Sequence, residues 1–324
     1  MLSPGRSCPT SYRYGTRALR NEPGLHADSL WIAGGLYGNP FALDALLAAY
    51  GADRGTKALV FNGDFHWFDV EAADFGRIND VVLAFHATRG NVETELATPQ
   101  DGAGCGCGYP DWVGDDTVQR SNRIIERLRA TAERLPRTLA SLRALPMHLV
   151  ARVGDAHIAI VHGDADSLAG WGFSQEALAT EAGLRNAHQV FAAAGVDVFA
   201  SSHTCLPVLQ SFAGGRVLVN NGAAGMPNFR GERYGLATRI ALTPPTESIY
   251  GVRCGALFID AIAVRYDQAA WQRRFLEQWP AGSDAYESYV RRIIDGPEYS
   301  RESALRVMSD PDSHHPIITT LAPN

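Results

Sequence analysis

Short apolar runs recur along this chain, each closed by glycine or a polar turn, and the first of them are separated by stretches with apolar residues at helical spacing. "SLWIAGG" predicts a strand that ends in a glycine loop. Asn39 then stands as an N-cap with Pro40 at the first helical position, and "FALDALLAAY" carries the helix to Gly51. "KALVFNGD" reads as a strand entering a turn, and "DVVLAFHATRGN" as a further strand stopped by Gly90. Strands alternating with helical segments predict a largely parallel sheet whose functional loops lie beyond the carboxyl ends of its strands. Asp64 and Asn91 fall at such ends.

Residues 94–116 are glycine-rich and aperiodic, and are expected to form a long loop or lid. Val118, Ile124, Ile125, Leu128, Leu135, Leu139 and Leu142 then repeat at helical spacing, with a break at Pro136. The period switches in "MHLVARVGDAHIAIVHGD", a hairpin turning at Gly154 and Asp155 whose second strand ends at His162. A helical stretch over 174–194 leads to the strand "VDVFASS" and His203. "VLQSF", "RVLVNNG", "ATRIALT" and "ALFIDAIAV" are further strands, expected to be antiparallel because their connections are short. "DQAAWQRRFLEQW" and "DAYESYVRRII" are helical, and a polar tail follows. The pattern divides the chain into an N-terminal arm (1–27), a body (28–265) and a helical C-terminal extension with its tail (266–324). Trp271, Phe275, Trp279 and Tyr289 of that extension are expected to cover either a subunit surface or the body itself.

With 324 residues, 46% of them hydrophobic, the chain can bury a substantial core within one large α/β domain. A formal net charge of -6 and the lack of a Lys/Arg block argue against gripping a nucleic-acid backbone. Five cysteines in no regular framework fit a reducing compartment. The start of the chain has no signal-peptide core, and no stretch is long and apolar enough for a membrane span, so a soluble cytoplasmic protein is expected. Oligomeric state is left open.

Asp64, Asn91, His162 and His203 offer a carboxylate, an amide oxygen and two imidazoles, a set suited to Mn, Fe or Zn. Taken singly, each also has a bland account: a Gly-Asp turn, an asparagine after Gly90, and histidines satisfied by backbone groups. In "GCGCG", Cys105 and Cys107 lack the spacing and the second pair that a closed zinc site needs, which leaves a glycine loop bearing two thiols that can close over a pocket.

Taken together, the strings "GLYGN" at 35–39, "GDFHW" at 63–67, "GNVE" at 90–93, "VHGD" at 161–164 and "SHTC" at 202–205 resemble, in order and context, the motifs of the calcineurin-like metallophosphoesterase superfamily. Those motifs read Asp-x-His-Gly-Asn, Gly-Asp-x-x-Asp, Gly-Asn-His-Asp/Glu, a His after a strand, and Gly-His-x-His. The likeness covers residues 28–265. It implies a four-layer α/β/β/α sandwich of two mixed sheets, here with a helical C-terminal extension, and two metals roughly 3.5 Å apart that clamp a phosphoryl group. Asp64 matches the bridging aspartate, and Asn91, His162 and His203 match the other ligands of one metal. The second metal would need ligands where this chain has Gly35, Tyr37 and Cys205. One ion rather than two is therefore expected, with Cys205 as a further candidate ligand. Val92 replaces the family's acid histidine, a loss of about 10²- to 10⁴-fold unless another group substitutes.

The candidates to substitute are Tyr37, His66 and Glu93, with Asp69 nearby, although Glu93 is commonly structural in the family pattern. Asn39 and Arg89 are candidate substrate-binding residues, Arg89 because its guanidinium suits an anionic group. Arg120 and Arg123 read as solvated helix positions. The resemblance implies a divergent phosphoesterase-like hydrolase in which one metal activates water against a small phosphorylated substrate. The alternative is a non-catalytic descendant of the same fold that binds a nucleotide, a phosphorylated metabolite or a protein partner. A third reading is a metal enzyme of other chemistry that uses Tyr37 and the cysteines.

Overall fold

The apolar runs become strands in two seven-stranded sheets, seen in a computed structural model that describes residues 3–306 and 318–321. The first sheet runs, in spatial order, β1 (Leu25–Ala27), β5 (His148–Val153), β6 (Ala156–Val161), β7 (Val198–Ser201), β9 (Arg216–Asn220), β8 (Val208–Phe212) and β13 (Leu305–Arg306). The second runs β14 (Ile318–Leu321), β11 (Tyr250–Cys254), β12 (Leu257–Val264), β10 (Gly235–Ala241), β2 (Ser29–Ala33), β3 (Lys57–Asn62) and β4 (His86–Thr88). Both are mixed: β2, β3 and β4 are parallel, as are β6, β7 and β9, while β5 pairs antiparallel with β6 and β10 with β2.

Side chains alternate between the two faces of a strand, and that alternation builds the layers. Leu30, Ile32, Ala58 and Val60 meet Ile158, Ile160, Val198 and Ala200 in a core between the sheets. Trp31, Ala33, Leu59 and Phe61 face the other way, toward α1 (Pro40–Ala52), α2 (Ala72–Val82), α4 (Asp115–Ala132), α5 (Pro136–Ala144), α7 (Gln268–Gln278) and α8 (Asp284–Asp295). On the far side Ala159, Val161, Phe199 and Leu218 pack on Ala187, Val190 and Phe191 of α6 (Glu181–Ala194). The result is the expected α/β/β/α sandwich.

Several elements differ from the sequence expectation. In "DVVLAFHATRGN" only His86–Thr88 is a strand. Asp80, Val81 and Val82 close α2, whose Phe75, Ile78 and Val82 are spaced to bury one helical face. The apolar run therefore spans a helix end and a turn. Thr94–Ala97 belongs to α3 (Asn91–Ala97), which shortens the glycine-rich loop. The sequence pattern predicts none of the short strands β1, β11, β13 and β14; β1 lies in the N-terminal arm and pairs parallel with β5. Tyr12 and Leu19 of that arm are fully buried. The antiparallel expectation holds for β8 with β9 and β10 with β12. Trp271, Phe275 and Trp279 pack against the chain's own body, around Phe68. Much of the polar tail, 307–317 and 322–324, lies outside the described residues. Among the described residues no helix is long and apolar enough to cross a membrane.

The carboxyl ends of β3, β4, β6 and β7 open on one edge, and Asn62 ties them together across the two sheets. Its Nδ2 donates to the Val161 carbonyl at 2.7 Å and to Ser202 Oγ at 2.9 Å, while its Oδ1 accepts from Thr88 Oγ1 at 2.9 Å. Asn62 is fully buried, so no water replaces these bonds. Asn62→Ala is expected to cost about 2–4 kcal/mol of stability, read as a fall in the urea midpoint at unchanged slope.

Candidate metal centre

Space at the edge of the sandwich is taken up by the site's own side chains, and the local glycines follow from that. After β3 the chain turns through Gly63 (φ 75) and Asp64 (φ 53), a left-handed pair that points the Asp64 carboxylate inward. A Cβ on Gly63 would stand 2.5 Å from His162 Nδ1, and one on Gly90 would stand 2.2 Å from Asp64 Oδ1. Asn91 begins α3 directly after Gly90. Glu93 holds both loops by accepting from the N–H groups of Asp64 and Gly90 at 2.8 Å each and of His66 at 3.3 Å. Burial, with the Asp64 charge beside it, raises the pKa of Glu93. His162 closes β6, and its carbonyl accepts from the N–H groups of Ser202 and His203, which draws the end of β7 alongside.

Four ligand atoms converge here. His162 Nε2 lies 3.4 Å from Asp64 Oδ2, 3.3 Å from Asn91 Oδ1 and 3.3 Å from His203 Nδ1. Their outward partners decide what faces inward. His162 Nδ1 lies 2.8 Å from the Asn62 carbonyl and His203 Nε2 lies 2.8 Å from the Cys107 carbonyl. A carbonyl only accepts, so each imidazole carries its proton on the outward nitrogen and turns a lone pair inward. Asn91 Nδ2 donates to the Cys105 carbonyl at 3.0 Å, which aims its Oδ1 inward as well. A carboxylate oxygen, an amide oxygen and two imidazole lone pairs thus face one another in a buried space with no proton among them. That arrangement calls for a cation. The pKa values move accordingly. Burial works against charge on His162, but Asp64 outweighs it and raises His162 above its usual value. Asp64 falls below the carboxylate range because His162 outweighs its burial. Burial and neighbouring His162 hold His203 down to about 4. Among the described residues no other trio of His, Cys, Asp or Glu side chains converges in this way.

The donor set suits a hard-to-borderline divalent ion such as Mn, Fe or Zn. No second group of three His, Cys, Asp or Glu side chains converges beside it among the described residues. Gly35 supplies no side chain, and its Cβ position lies 2.1 Å from Cζ of Tyr37, so the phenol ring fills that volume. Tyr37 Oη sits 2.7 Å from Cys205 Sγ, and both residues have left-handed backbones, φ 53 and φ 63. Burial raises the pKa of each.

The other sequence candidates take up varied places. Asn39 caps α1 by accepting from Phe41 and Ala42 N–H, and its Nδ2 donates to the Gly225 carbonyl at 2.9 Å. His66 is fully buried, stacks on Phe75 and lies 2.6 Å from the Asp69 carboxylate. The Arg89 guanidinium bonds the Arg143 carbonyl at 3.3 Å. Arg120 bonds Ser288 and Arg123 pairs with Asp284, both on α8. Val92 lines the cavity above the ligands, and its N–H donates to Asp64 Oδ1 at 3.2 Å.

That cavity, about 180 Å³, is walled by Tyr37, Trp67, Tyr109, Trp171, Tyr289 and Arg292. Trp67, Tyr109, Trp171 and Arg292 were not anticipated as site residues. Arg292 Nε donates to the Pro227 carbonyl at 3.1 Å and one Nη to the Cys205 carbonyl at 2.9 Å, which fixes the guanidinium at the rim. The available signal was the three-residue spacing of Tyr289 and Arg292 on one face of α8. A larger cavity, about 680 Å³, lies over Trp31, Arg239 and the 243–249 loop. Its buried Arg239 is held by Asp53 and Thr243 through four hydrogen bonds.

No protein-family profile and no curated protein sequence matches the chain. Solved structures do. A hypothetical protein from Pyrococcus horikoshii superposes with a TM-score of 0.56 at 17% identity, over 84% of this chain and 99% of that one. A metallophosphoesterase from Sphaerobacter thermophilus superposes with a TM-score of 0.54 at 18% identity, over 83% of this chain and 100% of that one. The chain therefore has the metallophosphoesterase fold that its motifs resemble.

Two substitutions test the centre. His162→Ala removes a ligand, and Gly90→Ala drives a methyl group into Asp64 and His162. Each is expected to weaken Mn binding by more than the about 100-fold that loss of an outer hydrogen-bond partner typically costs, measured by titration calorimetry.

Proposed function

We propose that this chain is a metal-dependent, phosphoesterase-like hydrolase of divergent type that acts with one divalent ion held by Asp64, Asn91, His162 and His203. The observation that carries the reading is the convergence of four lone pairs at the floor of a cavity with a guanidinium on its rim. A divalent ion bound there would supply Lewis-acid chemistry, polarising a phosphoryl oxygen and acidifying water at neutral pH.

The chain's own residues do the rest. Glu93 holds the Asp64 and Gly90 loops in register through three backbone hydrogen bonds. Arg292 binds an anionic oxygen of a small phosphorylated substrate, its Nη1 having no hydrogen-bond partner among the described residues. The aromatic walls exclude water and shape the entrance. With Val92 in place of an imidazole, Tyr37 and Arg292 are candidate donors at the cavity for a leaving group, and turnover is slow on that account. The cysteine use fits a cytoplasmic enzyme.

Val92 in the cavity wall also favours a second reading, in which the site holds its ion and a phosphorylated ligand without cleaving it. The two are separated with aryl phosphomonoester and phosphodiester substrates assayed over a range of Mn. Hydrolysis that requires Mn, stops on chelation and disappears in His162→Ala is expected. Stoichiometric Mn with no cleavage at any load would instead establish the binding protein. In the active protein, Arg292→Ala is expected to raise KM about 10- to 100-fold with a much smaller change in kcat.

A further inference from the structure

The "GCGCG" motif is a chemical feature of the sequence that the hydrolase reading leaves unused, and the fold lays it directly behind the candidate metal ligands. Gly104, Gly106 and Gly108 all have left-handed backbones, with φ of 62, 71 and 58. A Cβ on Gly104 would stand 2.3 Å from Asn122 Oδ1, and one on Gly106 2.3 Å from Tyr12 Oη. The loop is thus wound closely against α4 and the N-terminal arm.

Its two cysteines present their carbonyls to the site. The Cys105 carbonyl accepts from Asn91 Nδ2 at 3.0 Å, and the Cys107 carbonyl accepts from His203 Nε2 at 2.8 Å and from Trp171 Nε1 at 3.0 Å. These bonds aim Asn91 Oδ1 and His203 Nδ1 inward. The two sulfurs are joined to each other. Cys105 is fully buried, and Cys107 is buried as well but lines the cavity, so the pocket is the route by which a reagent would reach the pair.

We infer that Cys105–Cys107 is a thiol–disulfide exchange site, open to small thiols through the substrate cavity, whose state sets how firmly the loop holds Asn91 and His203. The inference rests on the metal-centre reading. An incoming thiolate attacks Cys107 Sγ; the Cys105–Cys107 bond breaks, a mixed disulfide forms at Cys107, and Cys105 leaves as a thiolate that takes a proton. A second thiolate attacks the incoming sulfur and releases Cys107, which takes the second proton. Two electrons and two protons pass from two small thiols, which leave as one disulfide, and a small disulfide reverses the sequence. Joined, the cysteines close a small covalent ring that holds both carbonyls on their ligands. Reduced, the two carbonyls are free to move apart, and the ligands lose their outer partners together. A reversible disulfide of this kind is of the sort that reducing compartments tolerate as sensors.

The test compares Mn affinity, by calorimetry, of protein equilibrated with reduced or oxidised glutathione and then desalted, with the state of the pair read by alkylation and mass. The reduced form is expected to bind Mn about 10- to 100-fold more weakly. Cys105→Ser and Cys107→Ser, singly and together, are expected to bind Mn with one affinity whatever the glutathione treatment. Equal affinity of the two wild-type forms, or a redox effect that persists in the variants, overturns the proposal and leaves the metal centre standing. Failure of both forms to bind Mn refutes the metal-centre reading and this proposal with it. The wild-type comparison stands even where a variant does not fold.

Discussion

The structure of this protein's working edge depends on one constraint: four hydrogen-bond acceptors are forced together while the N–H groups of His162, His203 and Asn91 are spent on carbonyls outside the cluster. His162 and His203 spend their N–H groups on the Asn62 and Cys107 carbonyls, and Asn91 spends its amide on Cys105. The carboxylate of Asp64 accepts from the Val92 N–H at 3.2 Å and brings no proton of its own. In a buried space such a cluster is stable only if positive charge enters it, as a proton on His162 or as a metal ion. The raised pKa of His162 and the lowered one of Asp64 are the same fact expressed in protons.

The surrounding backbone answers to that crowding. Gly63 and Gly90 lack side chains because the His162 ring and the Asp64 carboxylate occupy the volume where a Cβ would stand. Gly35 lacks one because the Tyr37 ring does. The departures from the familiar motif at 35, 37 and 205 are therefore one coupled change: a small residue, a ring that fills the space, and a thiol at 2.7 Å from its hydroxyl. A substitution at one of the three positions alone would leave either a void or a collision.

The cavity is built from parts far apart in the chain. Tyr109 and Trp171 come from loops, and Tyr289 and Arg292 from α8, whose own anchoring on the body runs through Arg123 with Asp284 and Arg120 with Ser288. The C-terminal helices thus cover a hydrophobic surface and at the same time bring a fixed guanidinium to the rim. The loop of Cys105 and Cys107 forms the back of the same site.

How much of this was legible beforehand follows the range of the interactions. Elements set by local chemistry were readable: Asn39 with Pro40 starts α1, Gly154 turns the β5–β6 hairpin, and alternation marks the buried strands. The order of the ligand-bearing strings indicated the fold, because each string follows a strand and strands of one sheet end on one edge. "DVVLAFHATRGN" misled because an apolar run fits a strand and the end of a helix equally well, and only packing of Phe75, Ile78 and Val82 decided between them. By itself the sequence determined which groups carry lone pairs and which positions lack them. Tertiary structure alone decided which way each lone pair points, since that is set by the carbonyls of Asn62, Cys107 and Cys105, which lie elsewhere in the chain from His162, His203 and Asn91, the residues they orient. It also decided that Arg292 rather than Arg89 lies at the cavity, because a side chain's neighbours across a fold are fixed by packing and leave no local mark on its own segment.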